Sequence, residues 1–246
     1  MKSLIAALSF LTPIPFTAQL TTREFSKIQL WFSLIGFFQG SVLMFACFGL
    51  SFVVGRPVVS VLAVCLWVFL TNATHLDGVA DCFDGFPNPS NPKRRLEIMS
   101  DPRTGAYGVV GIVLILMLKA VLVTSSKNIG WMAFVPILAA MTFARGSVLI
   151  LTFFRSAKES GLGYSLCSGR NIWFFLINMI IPVTLAVFLR LPGLIALVTS
   201  FVATLIVGFV AKSRINGVTG DVFGLAIEVS EASVLLSFAV IEGVFL

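Results

Sequence analysis

Charge is scarce in this chain. Of its 246 residues only 11% are Asp, Glu, Lys or Arg, against roughly 25% in an ordinary soluble domain, and that shortage excludes a soluble globular protein. Cysteine is sparse as well. Cys47, Cys65, Cys82 and Cys167 show no CxxC spacing, and Cys47 and Cys65 lie inside apolar stretches, so neither a disulfide nor a zinc site is expected. His75 is the single histidine. Disorder is excluded from the opposite side: 58% of the residues are hydrophobic, 24 are Phe and the mean hydropathy is +1.02, far too apolar for an unfolded chain. The bulk of the chain belongs in lipid.

Apolar stretches long enough to cross a bilayer run at about 28–54, 57–74, 107–124, 130–153, 172–191, 192–211 and 232–246. The expected fold is all-α, a polytopic membrane bundle of about seven transmembrane helices forming one domain over residues 1–246. Arg190, Pro192 and Gly193 supply the break between the fifth and sixth spans, and Pro57 after Gly55 opens the second. Leu4 to Phe16 is apolar but short, and Pro13 and Pro15 interrupt it. No small-x-small cleavage site precedes Thr21, so a short interfacial or re-entrant helix is expected there rather than a cleaved signal.

Sorting the charges by alternate membrane faces gives an orientation. Twelve basic residues fall on one face, three (Arg56, Lys127 and Arg190) on the other, and Lys119 and Arg145 within spans. The positive-inside rule makes the twelve-residue face cytoplasmic, with the N-terminus inside, as in a bacterial inner-membrane protein. Ten of the eleven acids share that face, Glu242 being the exception.

Within HLDGVADCFDGFPNP, residues 75–89, Asp77, Asp81 and Asp84 stand at i, i+4 and i+7, on one face of a helix. Three like charges on one face repel unless a cation binds, and hard cations such as Mg²⁺ take carboxylate oxygens and share them with substrate phosphates. A second cluster, NGVTGDVFGLAIEVSE at 216–231, sets Asp221, Glu228 and Glu231 on a helical face at the membrane boundary. Their alternative is structural pairing with Arg145 or Lys212. Gly217, Gly220 and Gly224 permit close approach of a phosphate or a neighbouring helix.

Between the clusters, Arg103 lies between Asp101 and Gly105 and suits bidentate phosphate binding, with glycine N–H groups nearby. Arg145 needs a carboxylate or a phosphate partner within its span. His75 is placed either as a general base for an attacking hydroxyl or as a helix-start residue. Lys119 is read as a snorkelling cation without a functional role. These residues together point to diphosphate chemistry on the cytoplasmic face of a membrane.

HLDGVADCFDGF, RLEIMSDPRTGAYG and TGDVFGLAIEVSE, in this order and spacing, resemble the adenosylcobinamide-GDP ribazoletransferase (cobalamin synthase) family. The likeness extends to GLG at 161–163 and to FLTPIPF at 10–16, although Pro13 stands where the family commonly has Arg and Leu225 where Ala is common. The resemblance implies that α-ribazole or its 5′-phosphate attacks adenosylcobinamide-GDP, releasing GMP and forming adenosylcobalamin or its phosphate, with Mg²⁺ required. It implies Asp77, Asp81, Asp84, Asp221 and Glu228 around the metal, and Arg103, Gly105, Asp101, Arg145 and Gly220 toward phosphate. His75, Asp81 and Asp84 are then the catalytic candidates. Lipid and the two substrates are the expected partners, nucleic acid is not, and self-association is left open. A CDP-alcohol phosphotransferase lacks support because no AR follows Asp77 or Asp84. An ion-coupled transporter would spread its charges toward both faces.

Overall fold

The computed structural model describes residues 2–13, 26–126 and 128–245. Within them all regular structure is helical apart from one isolated bridge between Ser156 and Val218. Residues 14–16 of FLTPIPF, together with Arg23, Glu24 and Lys127 of the charge tally, lie outside the described residues.

The short N-terminal helix is present as α1, Lys2–Leu11, whose final carbonyl accepts a 2.7 Å hydrogen bond from the buried Gln39 side chain. Gln39 belongs to α2, Phe32–Leu50, which a 3₁₀ turn over Lys27–Trp31 leads into. Then come α3, Arg56–Leu70, with Pro57 in its first turn, α4, Thr74–Gly85, and α5, Pro92–Ile98, capped by the Asn91 side chain on the Arg94 N–H. Next are α6, Ala106–Val123, and α7, Val135–Ser147, the latter continued on both sides by 3₁₀ turns, Gly130–Phe134 and Val148–Phe153. After a loop follow α8, Leu162–Ser168, α9, Ile172–Asn178, α10, Ile180–Phe188, α11, Arg190–Ile215, and α12, Gly220–Phe245.

Among the described residues five helical stretches are long and apolar enough to cross a membrane, namely Lys27–Leu50, Ala106–Val123, Gly130–Phe153, Arg190–Ile215 and Gly220–Gly243. Two bent pairs, α3 with α4 at 92° and α8 with α9–α10 at 104°, raise the number to seven if each is one span. The central position belongs to Gly130–Phe153, of whose apolar window 94% is buried. Small residues such as Ala139, Ala140, Ala144 and Gly146 let α2, α11 and α12 close around it.

Two boundaries differ from expectation. The last helix starts at Gly220 rather than 232, because Gly220 and Gly224 are accommodated in a close crossing with α4 and α8 instead of breaking the helix. The expected fifth span, 172–191, is interrupted at Met179, between α9 and α10. The expected break before α11 is present at Arg190, which has φ +58°, so that Pro192 sits within the first turn, where a missing N–H is tolerated.

The α4–α12 crossing is the contact that positions the site. A Cβ built on Gly78 would fall 2.5 Å from the Asp221 carbonyl oxygen and 3.0 Å from its Cα, and backbone cannot give way as a side chain can. Gly78→Ala is therefore expected to push α4 and α12 apart and lower stability by about 1–3 kcal/mol. Thermal unfolding in detergent checks this, and an unchanged midpoint would contradict the tight crossing.

Candidate active site

Asn72 and Ala73 make the turn between α3 and α4 with left-handed backbone, φ 52° and 54°. Asn visits this region readily, whereas Ala there costs about 1–2 kcal/mol. The strained pair turns α4 away from α3 and starts it at Thr74, one residue before His75. Asp77, Asp81 and Asp84 then rise on its more open side, while Gly78, Val79, Ala80 and Cys82 are buried.

That open side meets the first turn of α12. Burial, with Asp221, Asp77 and Asp84 crowding in, pushes the Asp81 carboxyl up to about 7, and Lys158 pulls the other way. The Lys158 ammonium lies 4.0 Å from Asp221 and 3.0 Å from the Ser100 hydroxyl, and the Thr219 hydroxyl donates to Asp221 at 3.1 Å. A cleft of about 150 Å³ runs between the two helices, lined by His75, Asp77, Gly220 and Asp221 and walled by Phe32 and Phe223. His75 is buried, and neither ring nitrogen has a hydrogen-bond partner. A larger cavity of about 660 Å³ beside Arg190 and Glu242 contains none of the acidic motif residues and lies outside this site.

Asp84, expected as metal ligand and catalytic residue, is occupied differently. Its two oxygens accept the N–H groups of Gly105, at 2.7 Å, and Gly108, at 2.9 Å, the start of α6. A Cβ on either glycine would stand 2.5–2.6 Å from those oxygens, so both positions form a cradle for the carboxylate. Asp84 thus caps α6 with favourable charge at a helix N-terminus, and the Gly105 amide expected to meet phosphate is already taken. Arg103 projects into solvent and is gripped by Asp101 through two side-chain hydrogen bonds of 3.0 and 2.8 Å. The guanidinium holds the Asp101 carboxyl well below the usual carboxylate range.

The deeper acids also depart from expectation. Glu228, expected at the metal, is buried and receives the Lys119 ammonium at 2.6 Å; its other oxygen lies 3.8 Å from His75 Nδ1. Glu231 binds both Lys119 and Arg145. Arg145, expected toward substrate phosphate, is fully enclosed by protein, so of its two possible partners the carboxylate is the one present. Lys119 does not snorkel. It is 1% exposed and sits 4.4 Å over the Trp67 ring. Lys119 and Lys158 are the two residues the motifs did not single out. The signal for Lys119 was its charge inside an apolar span, the same signal that drew attention to Arg145.

Among the described residues no three His, Cys, Asp or Glu side chains converge closely enough to enclose a metal by themselves. The donors suit instead a hard cation that takes few carboxylates and fills its shell with phosphate and water. Asp77, Asp81 and Asp221 fit that description. Asp77 and Asp221 line the cleft, Asp81 stands near enough to feel both charges, and their oxygens are free of the backbone amides that occupy Asp84.

Comparison with known proteins returns relatives along nearly the whole chain. Adenosylcobinamide-GDP ribazoletransferase of Desulfitobacterium hafniense (strain Y51) is 32% identical over 247 residues, covering 96% of each chain. The protein of that name from Thermoanaerobacter pseudethanolicus is 32% identical with 97% of each chain covered, and that of Klebsiella pneumoniae (strain 342) is 31% identical over 96% of this chain and 99% of its own. No solved structure matches. Residues 3–239 match the family model described as cobalamin-5-phosphate synthase, and the chain belongs to that family.

Proposed function

We propose that this chain joins α-ribazole, or its 5′-phosphate, to adenosylcobinamide-GDP. A ribose hydroxyl attacks the phosphorus attached to cobinamide, the new P–O bond forms as the bridging P–O–P bond breaks, and GMP departs. A product that keeps a 5-phosphate, as the family description has it, leaves a ring hydroxyl as the nucleophile. The observation that carries this reading is the meeting of two distant acidic motifs, Asp77 from α4 and Asp221 from α12, at one cleft beside the sole histidine, with Asp81 near enough to feel both charges.

The residues divide the work. His75 has unpartnered ring nitrogens in the cleft wall and is suited to take the hydroxyl proton. Glu228, 3.8 Å from Nδ1, is placed to steady the charge the ring gains. Asp77, Asp81 and Asp221 would hold Mg²⁺, which supplies charge neutralisation of the diphosphate as GMP leaves. Arg103 can exchange Asp101 for a substrate phosphate, since both offer oxygens to the same guanidinium edge. The excess of basic residues in the loops of this face supports a cytoplasmic orientation with the N-terminus inside, as in a bacterial inner membrane.

The test is GMP release by the purified protein in vesicles supplied with adenosylcobinamide-GDP, with and without ribazole and Mg²⁺. Release that needs both is expected; uptake of the corrinoid without GMP would overturn the reading. A pH dependence follows from Asp81, whose carboxyl is raised to about 7. Below that pH protons compete with the cation, so the Mg²⁺ concentration for half-maximal release should rise about fivefold between pH 7 and 6. A requirement unchanged from pH 8 to 6 would remove Asp81 from the metal.

A further inference from the structure

Beside the strip of backbone from Arg155 to Lys158, which leads to Asp221 of the acidic cleft, lies a cavity with the opposite charge. It measures about 590 Å³ and is lined by Phe153, Phe154, Phe209, Arg155, Lys212 and Asn216, with no carboxylate among the lining residues. Arg155 and Lys212 are exposed, and among the described residues neither is in an ion pair. An adjoining cavity of about 300 Å³ shares Arg155 and adds Lys93. Phe154 and Phe209 stand edge to face at 5.4 Å, and Phe209 is 58% exposed, so an aromatic surface flanks the cations.

The strip of backbone ties this cavity to the cleft. Arg155 accepts the Val218 N–H through its carbonyl at 2.9 Å, and the Ala157 N–H returns to the Val218 carbonyl at 2.9 Å. One residue further, Lys158 reaches Asp221. Three residues of extended chain span at most about 10 Å, so the backbone of Arg155 lies close to that of Lys158, the lysine beside Asp221. Cations with an aromatic wall select a phosphate carried by an aromatic nucleoside, the guanidinium and ammonium taking the oxygens and the phenyl faces taking the base.

We infer that Arg155 and Lys212, with Phe209, form the site for the phosphorylated aromatic acceptor, ribazole 5′-phosphate, and that this pocket distinguishes it from free ribazole. The inference rests on the transferase reading for the identity of the acceptor, but its test needs no turnover. Anionic lipid headgroups share the phosphate chemistry, and cations beside lipid-facing Phe often serve them, so the experiment includes both.

Binding of ribazole 5′-phosphate and of ribazole to the full-length protein in phosphatidylcholine vesicles is measured by equilibrium dialysis. The phosphate should tighten binding about tenfold or more. Arg155→Gln and Lys212→Gln should each remove most of that gap without changing the ribazole affinity. Phe209→Leu should weaken both ligands about equally, by severalfold. Arg214→Gln, an exposed cation outside the cavity lining, should change neither. The absence of a gap in the unaltered protein, its survival in both cation variants, or its loss in Arg214→Gln would overturn the assignment. So would displacement of ribazole 5′-phosphate by phosphatidylglycerol, which would give the pocket to lipid. Arg155-dependent binding in a protein that releases no GMP would sink the transferase reading and leave the site standing.

Discussion

Asp81→Asn should lower Mg²⁺-dependent GMP release about a thousandfold, roughly 4 kcal/mol of transition-state stabilisation, while thermal stability stays level or rises. The two halves of this result have one cause. Burial, together with repulsion from Asp221, Asp77 and Asp84, lifts the Asp81 carboxyl to about 7. Neutralising it relieves the fold and removes a carboxylate proposed to hold Mg²⁺ at the substrate diphosphate, as expected where charge is concentrated for function. Asp84→Asn makes the contrast. Its carboxylate accepts from both Gly105 and Gly108, and an amide would turn an N–H toward one of those donors. Stability should fall by about 1–3 kcal/mol, and activity should fall with it. Circular dichroism melts beside GMP assays separate the cases. A stable, fully active Asp81→Asn would remove Asp81 from the chemistry, and an unaffected melt for Asp84→Asn would remove the cap.

What could be read from the sequence was whatever depends on composition and on short spacing. Spans at 28–54, 107–124 and 130–153 follow from apolar length, and the i, i+4, i+7 face of Asp77, Asp81 and Asp84 follows from helical geometry; the helices are there. The assignments that changed depend on which way a helix faces. Lys119 was judged by its depth along α6, but one turn of helix decides between lipid and the Trp67–Glu228 interior. Glu228 and Asp221 share a face by spacing, yet seven residues carry Glu228 about 10 Å deeper, from the cleft into the reach of Lys119. The cap made by Asp84 needed a loop of unknown path to return Gly105 to α4. Two consecutive left-handed residues, Asn72 and Ala73, carry no sequence signature strong enough to announce the sharp turn they make.

Lys119→Met should destabilise the protein by about 3–5 kcal/mol, the loss expected when one member of a buried ion pair is removed and its partner is left charged. Four groups share the interior: Lys119 and Arg145 against Glu228 and Glu231, each of them at most 2% exposed. Two positive and two negative charges balance there, and lipid offers no water to receive an excess. The methionine variant leaves Glu228 facing only His75, so the unfolding midpoint in detergent should drop by many degrees. The double variant Lys119→Met with Glu228→Gln restores balance, since Arg145 still answers Glu231. It should recover most of the lost stability, a coupling of about 2–3 kcal/mol between the two sites. Activity separates structure from chemistry in the same pair. If Glu228 steadies the charged ring of His75, the double variant regains its fold but still turns over slowly, with kcat depressed and the substrate KM near that of the unaltered protein. Recovery of both stability and kcat would show that Glu228 serves only as the partner of Lys119. Additive stability losses would show that the four groups are not one network.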